Sequence, residues 1–409
     1  MLASAAVGAL VVALVGPTAG ASARGNQTPQ ALGRYIVVLK KSAAAGSVAV
    51  LHSRSFGFEV DHVYRHALKG YSAAMPRAAA RAVANAPGVR WVERDRIHKV
   101  AAQSIPTGIN RVDADLSPTA QINGVDQRVN VDVAVIDTGI DYTHPDLNVY
   151  TAGAKNCALA AINANDDNGH GSHVAGTIGA LDNSIGVVGV APGARVWPVK
   201  VLSAAGVGFT SEIVCGIDYV RSKASQIEVA NMSLGGGGSD DGNCGNSNND
   251  AEHRAICSAV SAGVTFVVAA GNDHEDAANS TPAAYDEVIT VSALADFNGQ
   301  PGGGAPSTCR SDVDDTFANF SNYGADVDLI APGVCINSTY MLGGYSTLSG
   351  TSMASPHVAG GAALYKTNNA GATPAQVKTA LQNAGNLNWT WPSQDPDGIQ
   401  EKLLNVATF

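Results

Sequence analysis

Three short segments, far apart in the chain, each contain one residue of a possible nucleophilic triad. Asp137 follows an apolar run, His170 lies between two glycines, and Ser352 lies in Gly350-Thr-Ser-Met-Ala. A serine hydroxyl is a weak nucleophile at its own pKa, so acyl transfer through it needs a neutral imidazole to accept its proton and a carboxylate to orient that imidazole. The three residue types therefore indicate acyl-transfer chemistry, provided that the fold brings them together.

The sequence around these residues predicts the elements that would position them. Apart from Asp132, residues 131–136 form an apolar, largely β-branched run that is typical of a buried parallel strand and ends at Asp137. A second run, 266–270, ends just before Asn272. Open α/β sheets keep their sites at the carboxyl ends of such strands. Ser352 lies at a predicted helix start, where backbone N–H groups and the helix dipole favour developing negative charge.

In the order Asp, His, Ser, the three extended segments resemble the motifs of the subtilisin-like serine proteases. The resemblance implies that Asp137, His170 and Ser352 are the triad. It also implies an oxyanion hole made by the side chain of Asn272 and the backbone N–H of Ser352. Further polar residues beside the triad are assigned by the resemblance to the scaffold: Asp141, His173, Ser355 and His357.

The resemblance implies an α/β fold of three layers with a mostly parallel central sheet, preceded by a small α/β, ferredoxin-like propeptide. The alternation of apolar runs with helical segments also favours a parallel sheet covered on both faces. Predicted strands of the main domain are 131–136, 195–201, 227–232, 264–270, 287–293 and 327–330, and its predicted helices include 351–368 and 373–381, the latter capped by Thr373 with Pro374 in its first turn. In the propeptide we predict strands at 34–40 and 89–96 and a helix at 76–86.

Two glycine-rich segments match the substrate-binding edges of the family. Glycine lets a second backbone approach closely, so that a peptide can add as an extra strand, which favours polypeptide substrates. Leu234 on one wall, and no clear acidic residue at the pocket base, predict acceptance of apolar or medium-sized side chains. A preference for paired basic residues is the alternative, because acidic residues are plentiful. The predicted substrate-binding residues are Gly206, Gly208, Ser233, Leu234, Gly235, Ala270 and Gly271.

A structural calcium site is also implied by the resemblance, in a tight loop around residues 181–187. Calcium takes six or more oxygens from carboxylates, amides and carbonyls, and the matched set offers six. An ordinary turn is the alternative. No organic cofactor is expected. The predicted ligands are Gln103, Asp146, Leu181, Asn183, Ile185 and Val187.

The first hundred residues differ from the rest in character. Residues 1–23 are apolar and end in Ala21-Ser-Ala, typical of an export signal and too short and interrupted for a membrane-spanning helix, so we expect the protein outside the cell. Residues 24–101 carry 13 Lys and Arg against 4 Asp and Glu, whereas 102–409 carry 12 against 31. The basic charges do not form runs, which argues against a nucleic-acid partner and favours attraction to the acidic remainder.

These features predict a signal peptide (1–23), an inhibitory propeptide (24–101) and a peptidase domain (102–409), with self-cleavage between Ala101 and Ala102. The last propeptide segment would lie through the substrate cleft. A monomer that has no membrane partner after signal removal is expected.

Six cysteines in an exported chain indicate disulfides. The sequence has no Cys-x-x-Cys pair, which argues against a zinc–thiolate site. Six cysteines allow about 15 connectivities that a single sequence does not distinguish. Of these we predict the sequential one: Cys157–Cys215, Cys244–Cys257 and Cys309–Cys335.

The predicted function is therefore that of a secreted serine endopeptidase. Two alternatives remain: a catalytically inactive, peptide-binding homologue, and an esterase that uses the same triad. An esterase would favour Gly-x-Ser-x-Gly around its nucleophile, and the residues after Ser352 lack the second glycine.

Overall fold

The computed structural model describes residues 32–95, 102–159, 161–391 and 395–409. The predicted signal peptide and Ala101, on one side of the predicted cleavage point, lie outside these residues. The chain folds as two compact units, divided between Lys99 and Val100.

The N-terminal unit is a four-stranded antiparallel sheet covered by two helices. Its sheet order is β2-β3-β1-β4. The strand-helix-strand-strand-helix-strand order and this sheet order agree with the predicted ferredoxin-like fold. The predictions for β1, α2 and β4 are confirmed to within two residues. The elements are β1 (Leu32–Leu39), α1 (Ala45–Phe56), β2 (Glu59–Tyr64), β3 (Gly70–Pro76), α2 (Arg77–Ala84) and β4 (Val89–Arg94).

The larger unit alternates strands and helices. Its strands are β5 (Asp132–Asp137), β6 (Lys155–Asn156), β7 (Arg195–Lys200), β8 (Val229–Met232), β9 (Gly236–Gly237), β10 (Thr265–Ala269), β11 (Ser280–Thr281), β12 (Ile289–Ala295), β13 (Thr316–Phe317), β14 (Leu329–Pro332), β15 (Ile336–Tyr340) and β16 (Gly344–Leu348). Its helices are α3 (Thr107–Arg111), α4 (His170–Gly179), α5 (Thr210–Ser222), α6 (Ala251–Ser261), α7 (Thr351–Asn368) and α8 (Pro374–Ala384).

The main sheet has the order β13-β12-β10-β8-β5-β7-β6, and β14 also pairs with β12. All of its pairings are parallel except that of β12 with β13. Helices α4 and α7 pack on one face and α5 and α6 on the other. The predicted three-layer α/β fold is confirmed, and the six predicted strands are present with ends shifted by at most two residues.

Strand β5 shows why the parallel strands are mostly apolar in their central residues. Val133 and Val135 belong to the hydrophobic core beneath α4 and α7, whereas Ala134 and Ile136 belong to the core beneath α5 and α6. Since successive side chains of a strand point to opposite faces, a strand buried on both faces has apolar residues at most of its consecutive positions.

The two predicted C-terminal helices are confirmed. Helix α7 spans the predicted range. Helix α8 begins after Thr373, whose hydroxyl accepts a hydrogen bond from Gln376 N at 3.3 Å, while the Gln376 side chain accepts one from Thr373 N at 2.9 Å. This reciprocal pair, with Pro374 at the first helical position, ends the loop and starts the helix.

All six cysteines form disulfides, and the sequential pairing is confirmed: Cys157–Cys215, Cys244–Cys257 and Cys309–Cys335. Among the described residues, no helix has the length and apolar character needed to cross a bilayer.

Candidate active site

Asp137 and His170 meet at the carboxyl end of the central strand β5. Asp137 is its last residue and His170 is the first residue of α4. The Nδ1 atom of His170 lies 2.8 Å from Asp137 Oδ1. Gly171 makes this approach possible, because a Cβ there would lie only 2.1 Å from the carbonyl oxygen of Gly139.

The environment of this pair changes the pKa of the histidine. The Asp137 side chain is completely buried, while that of His170 is 26% exposed. Burial by itself disfavours the imidazolium, but the charge and hydrogen bond of Asp137, with a further contribution from Asp166, outweigh it and raise the pKa of His170 above its ordinary value. The imidazole of His170 is therefore more basic than usual. Its Nδ1 is hydrogen-bonded to Asp137, so Nε2 is the nitrogen that can exchange a proton with a reacting group.

A second buried carboxylate, Asp166, organises the loop before His170; it was not among the residues predicted from the sequence. Its Oδ1 accepts the Thr138 hydroxyl at 2.9 Å and the backbone N–H of Asn168 and Gly169. Its Oδ2 accepts both the backbone N–H and the hydroxyl of Ser172. Thr138 in turn accepts the N–H of Gly171. This network ties the end of β5 to the start of α4; its only sequence signal was the Asp166-Asp167 pair just before the Asn-Gly-His motif.

Ser352 lies in the first turn of α7 and faces the same side of the sheet edge as His170. Both residues line a cavity of about 390 Å³. The Ser352 hydroxyl donates to the carbonyl of Ser233 at 3.2 Å, and within the described part of the chain it makes no hydrogen bond to His170. Hydrogen bonds between a nucleophile and its base are often long or poorly aligned before substrate binds, and they tighten only in the substrate complex.

A buried chain of polar side chains holds the start of α7 against strand β8. Ser355 donates to Asn231 Oδ1 at 2.7 Å, Asn231 donates to the Ser233 hydroxyl at 2.9 Å, and that hydroxyl donates to the carbonyl of Ser352 at 2.8 Å. Asn231 was not predicted as a site residue. Its signal in the sequence is one amide in an otherwise apolar strand, which is costly to bury unless it is hydrogen-bonded.

Asn272 follows strand β10 and is fixed by the first residue of α7. Its Oδ1 accepts the backbone N–H of Thr351 at 2.8 Å and the Thr351 hydroxyl at 3.1 Å. The amide Nδ2 of Asn272 and the backbone N of Ser352 lie 3.8 and 3.7 Å from the position that a Cβ on Gly350 would take. Two N–H donors of the predicted set therefore approach the same small region beside the serine.

The predicted substrate-binding residues line two cavities that share Leu234, Gly235 and Ser352. Gly206, Gly208 and Ser233 line the first cavity. Ala270 and Gly271 line the second, which has a volume of about 300 Å³.

Two acidic residues that the specificity prediction did not consider, Asp273 and Glu275, also line the second cavity. Both are exposed, and their backbone N–H groups both donate to the side-chain oxygen of Asn322. No clear acidic residue was predicted at the pocket base, whereas the folded chain has two acidic residues in the lining of this cavity.

The predicted calcium ligands come together around Asp146, whose side chain is completely buried. Asp146 accepts hydrogen bonds from the Asn183 amide at 2.7 Å and from Val187 N at 3.0 Å. The Gln103 side chain contacts the carbonyl oxygens of Leu181 and Val187, and Ile185 N donates to the Asn183 side chain. Asp146 pairs with no Lys or Arg side chain among the described residues. The Tyr345 hydroxyl also donates to Asp146, at 3.2 Å, so every hydrogen bond from a described residue to this carboxylate comes from a neutral donor. A buried carboxylate without a cationic partner, next to the carbonyls of Leu181 and Val187, fits a calcium ion.

Two further histidines lie beneath the site. His173 donates from Nε2 to the carbonyls of Ile336 and Ser346, and His357 donates from Nδ1 to that of Met353. Both are completely buried, and burial lowers the pKa of each to about 4. They are therefore neutral near pH 7, in agreement with the predicted scaffold role.

Comparison with known proteins shows close relatives over most of the chain. Residues 129–401 match the subtilase family, and residues 34–101 match the peptidase inhibitor I9 family. Subtilisin E of Bacillus subtilis (strain 168) is 37% identical over 371 residues, covering 88% of this chain and 88% of that protein. An alkaline protease of Alkalihalobacillus alcalophilus is 41% identical over 297 residues, covering 73% of this chain and 69% of that protein. A crystal structure of a cold adapted subtilisin-like serine proteinase matches with a TM-score of 0.58 and 36% identity, covering 73% of this chain and 97% of that one.

Proposed function

Because the chain belongs to the subtilase family, we propose that it is a secreted serine endopeptidase that cleaves polypeptides through an acyl-enzyme. The observation that carries the proposal is the contact of His170 Nδ1 with the buried Asp137, beside a cavity that His170 and Ser352 line together. The catalytically inactive and esterase alternatives become outcomes of the test below.

The proposed reaction begins with neutral His170. Its Nε2 accepts the proton of the Ser352 hydroxyl as the serine oxygen attacks the scissile carbonyl carbon, and Asp137 stabilises the resulting imidazolium. His170 then gives the proton to the departing amine, which leaves the acyl group on Ser352. Water, activated by the same imidazole, attacks this ester and releases the second product.

The tetrahedral intermediate carries a negative charge on the former carbonyl oxygen. We propose that the Asn272 amide and the backbone N–H of Ser352 bind this oxygen. The bond from Thr351 N to Asn272 Oδ1 supports this role, because it orients the amide and leaves Nδ2 as the free donor. Donors that are held in place before the reaction need no reorganisation when the charge develops.

We propose that a peptide substrate lies along the glycine-rich edges next to Leu234, with an apolar or medium-sized side chain in the cavity beside Ser352. The carboxylates of Asp273 and Glu275 would make a basic side chain acceptable as well. A panel of chromogenic peptides tests this specificity: faster cleavage after Leu or Phe supports it, and a strong preference for Arg contradicts it.

The N-terminal unit is proposed to act as an intramolecular inhibitor and folding aid, as its match to the peptidase inhibitor I9 family suggests. Its surplus of basic residues and the acidic character of the remainder would favour association of the two units. We place its removal between Ala101 and Ala102, by self-cleavage.

Calcium is proposed as a structural ion, held by Asp146 and Asn183 with Gln103 and the carbonyls of residues 181, 185 and 187. Its chemistry there is to neutralise the buried carboxylate and to tie distant loops together. No reaction step passes through it.

The substitution Ser352→Ala tests the proposed function directly. We expect hydrolysis of casein to fall by about 10⁶-fold, the magnitude known for the nucleophile of subtilisin, and the precursor to remain uncut at Ala101. Ser225→Ala, at an exposed serine outside both cavities, is the matched control and should retain full activity.

Three results would contradict the proposal. Efficient self-cleavage of purified Ser352→Ala protein would exclude Ser352 as the nucleophile. Hydrolysis of small esters without hydrolysis of casein or peptides would indicate an esterase. Complete inactivity of the folded wild-type protein after removal of its propeptide would indicate a peptide-binding homologue.

A further inference from the structure

A second cluster of ionisable side chains lies outside the candidate active site, where the loop 238–250 meets helix α6. At its centre is His253, whose side chain is completely buried and stacks on the ring of Tyr285 with centroids 4.0 Å apart. The proposed reaction does not use this cluster, and it shares no residue with the predicted calcium site.

The two ring nitrogens of His253 have different surroundings. Nε2 lies 2.9 Å from Glu287 Oε2, a hydrogen-bond distance. Nδ1 is buried, makes no hydrogen bond to any described residue, and faces Asp241 Oδ1 at 3.4 Å and Asp240 Oδ1 at 3.5 Å. If Nε2 donates its proton to Glu287, the lone pair of Nδ1 points at two carboxylate oxygens, which is repulsive unless a cation lies between them.

The charge of the cluster also calls for a cation. Asp240, Asp241 and Glu287 surround one imidazole, and within the described residues none of the three forms an ion pair with Lys or Arg. Asp286, whose backbone N–H donates to Asp240, adds a further acidic residue nearby. Three carboxylates close to a neutral ring repel one another. Backbone N–H groups solvate Asp241 and Asp240, and a bound metal ion would add the positive charge that these neutral donors do not supply.

The distances favour a metal ion over a proton. A hydrogen bond from an imidazolium to a carboxylate is usually about 2.7–2.9 Å long, shorter than the 3.4 and 3.5 Å found here. Four ligands at zinc bond lengths of about 2.0–2.1 Å form a tetrahedron whose edges are about 3.3–3.4 Å. The ligand atoms of Asp240, Asp241 and His253 all lie within 4.8 Å of one another.

We propose that Asp240, Asp241 and His253 Nδ1 bind a divalent transition-metal ion of the zinc type. Glu287 acts as the carboxylate that receives the Nε2 proton, a common partner of metal-bound histidines because it sets their tautomer and orientation. A nitrogen ligand distinguishes this site from the all-oxygen calcium site around Asp146. Cys244 and Cys257 lie close by, but their disulfide excludes them as thiolate ligands.

The surrounding loop is built to hold these ligands in place. The Asp241 carboxylate accepts backbone N–H groups from Asn243, Gly245, Ser247 and Asn248. The Cys244–Cys257 disulfide ties the same loop to α6. Gly237 lines the cavity beside Ser352, and Asp240 comes three residues after it. A bound ion would therefore fix the position of the chain just after this side of the cavity.

Zinc binding to full-length Ser352→Ala protein tests the proposal without interference from self-cleavage. The protein is treated with a chelator, saturated with calcium, and titrated with ZnSO₄ by calorimetry, with a parallel measurement of thermal unfolding. We expect one zinc ion per chain at this site and a higher melting temperature. Adding Asp240→Asn should weaken this binding at least 10-fold, and Glu287→Gln should weaken it by about 10–100-fold.

Asp218→Asn is the matched control, because Asp218 is exposed on helix α5 and has no ion-pair partner in the described chain; it should bind zinc like the parent. Near-ultraviolet circular dichroism verifies that each variant is folded. Equal zinc affinity in the parent and in folded Asp240→Asn, or no zinc binding by the parent, would overturn the proposal and favour a protonated His253. Activity enters none of these measurements, so the result is independent of the proposed protease function.

Discussion

Two layers of histidine side chains lie on helices α4 and α7, and the protein moves their pKa values in opposite directions. His170 begins α4, is partly exposed and contacts Asp137, and its pKa is raised. His173, about one turn further along α4, and His357 on α7 are completely buried, and their pKa values are lowered to about 4. His170 is therefore suited to accept a proton from the Ser352 hydroxyl, whereas His173 and His357 stay neutral.

These opposite pKa shifts show that residue type and position on a helix do not determine the protonation behaviour of a histidine. Burial disfavours the charged form of all three imidazoles, but only His170 has a carboxylate partner that reverses the effect. The two deeper rings contact backbone carbonyls, which accept one N–H but do not offset the loss of water. The carboxylate at the end of β5 therefore separates the two layers.

Replacement of Asp137 is expected to have the largest effect, because its carboxylate raises the pKa of His170. Asp137→Asn should lower kcat by about 10⁴-fold, because the amide favours the wrong imidazole tautomer and no longer stabilises the imidazolium. In the wild type, kcat/KM should rise with a midpoint above pH 6.5, since the pKa of His170 is raised; in the variant the midpoint should move to lower pH.

Residual activity of Asp137→Asn can be followed with a chromogenic peptide from pH 5 to pH 10. Asp218→Asn, on the exposed side of α5, is the control and should keep the wild-type profile. An unchanged midpoint in Asp137→Asn would mean that Asp137 does not determine the pKa of His170.

Asn272→Ala tests whether the region around Ser352 and His170 also contains a preorganised site for the oxyanion. We expect kcat to fall by about 10² to 10³-fold, the range known for this asparagine in subtilisin, while KM changes little. Steady-state kinetics separate the two parameters. An effect confined to KM would show that Asn272 binds the ground-state substrate instead of the oxyanion.

The buried histidines His173 and His357 should make the folded state less stable at acid pH. Because the folded-state pKa of His357 is about 4, the unfolded chain binds a proton between pH 6.5 and 4 that the folded chain does not. Its contribution to the free energy of unfolding is therefore complete above pH 6.5 and is lost as the pH falls to 4, by on the order of 3 kcal/mol. His173 should contribute in the same direction.

Urea unfolding of the Ser352→Ala protein at pH 7 and pH 4.5 measures this effect. In His357→Gln, whose amide can still donate to the Met353 carbonyl, the loss of stability between the two pH values should be smaller. The same loss in both proteins would contradict the low pKa of His357.

Calcium removal is expected to change the stability of the protein without changing the pKa of His170, His173 or His357. At 100 times its dissociation constant, calcium should add about 2.7 kcal/mol to the free energy of unfolding, and a chelator should remove it. Asp146→Asn should abolish the calcium response and Asp218→Asn should preserve it, as measured by thermal unfolding. A chelator that leaves the melting temperature of the parent unchanged would argue against the site.

Much of the fold could be predicted from local sequence. Residues 133–136 of strand β5 are all apolar because the strand is buried on both faces, and α8 has its own capping residues, so each signal lies within a few neighbouring residues. In the N-terminal unit, α1, β2 and β3 were not predicted from the local sequence. Strand β2, Glu-Val-Asp-His-Val-Tyr, lies at an edge of the sheet, and its mixture of polar and apolar residues gives only a weak strand signal.

In the candidate site, too, some residues could be predicted from local motifs and others could not. The residues proposed for catalysis lie in extended motifs that the sequence displays directly. Asp166 and Asn231 were missed because their roles depend on hydrogen-bond partners from other elements, such as Thr138 and Ser355. The acidic lining at Asp273 and Glu275 was also not anticipated, because a local motif does not tell which side chains face a cavity.

The sequence alone determined the element types and the chemical groups available for acyl transfer, since strand burial, helix capping and motif spacing are properties of neighbouring residues. Which histidine contacts a carboxylate, and which histidines are buried against backbone carbonyls, follows from the tertiary fold. The physical reason is that a pKa depends on desolvation and on charges a few ångströms away, and in this fold the nearest charge to His170 comes from a residue 33 positions earlier in the chain.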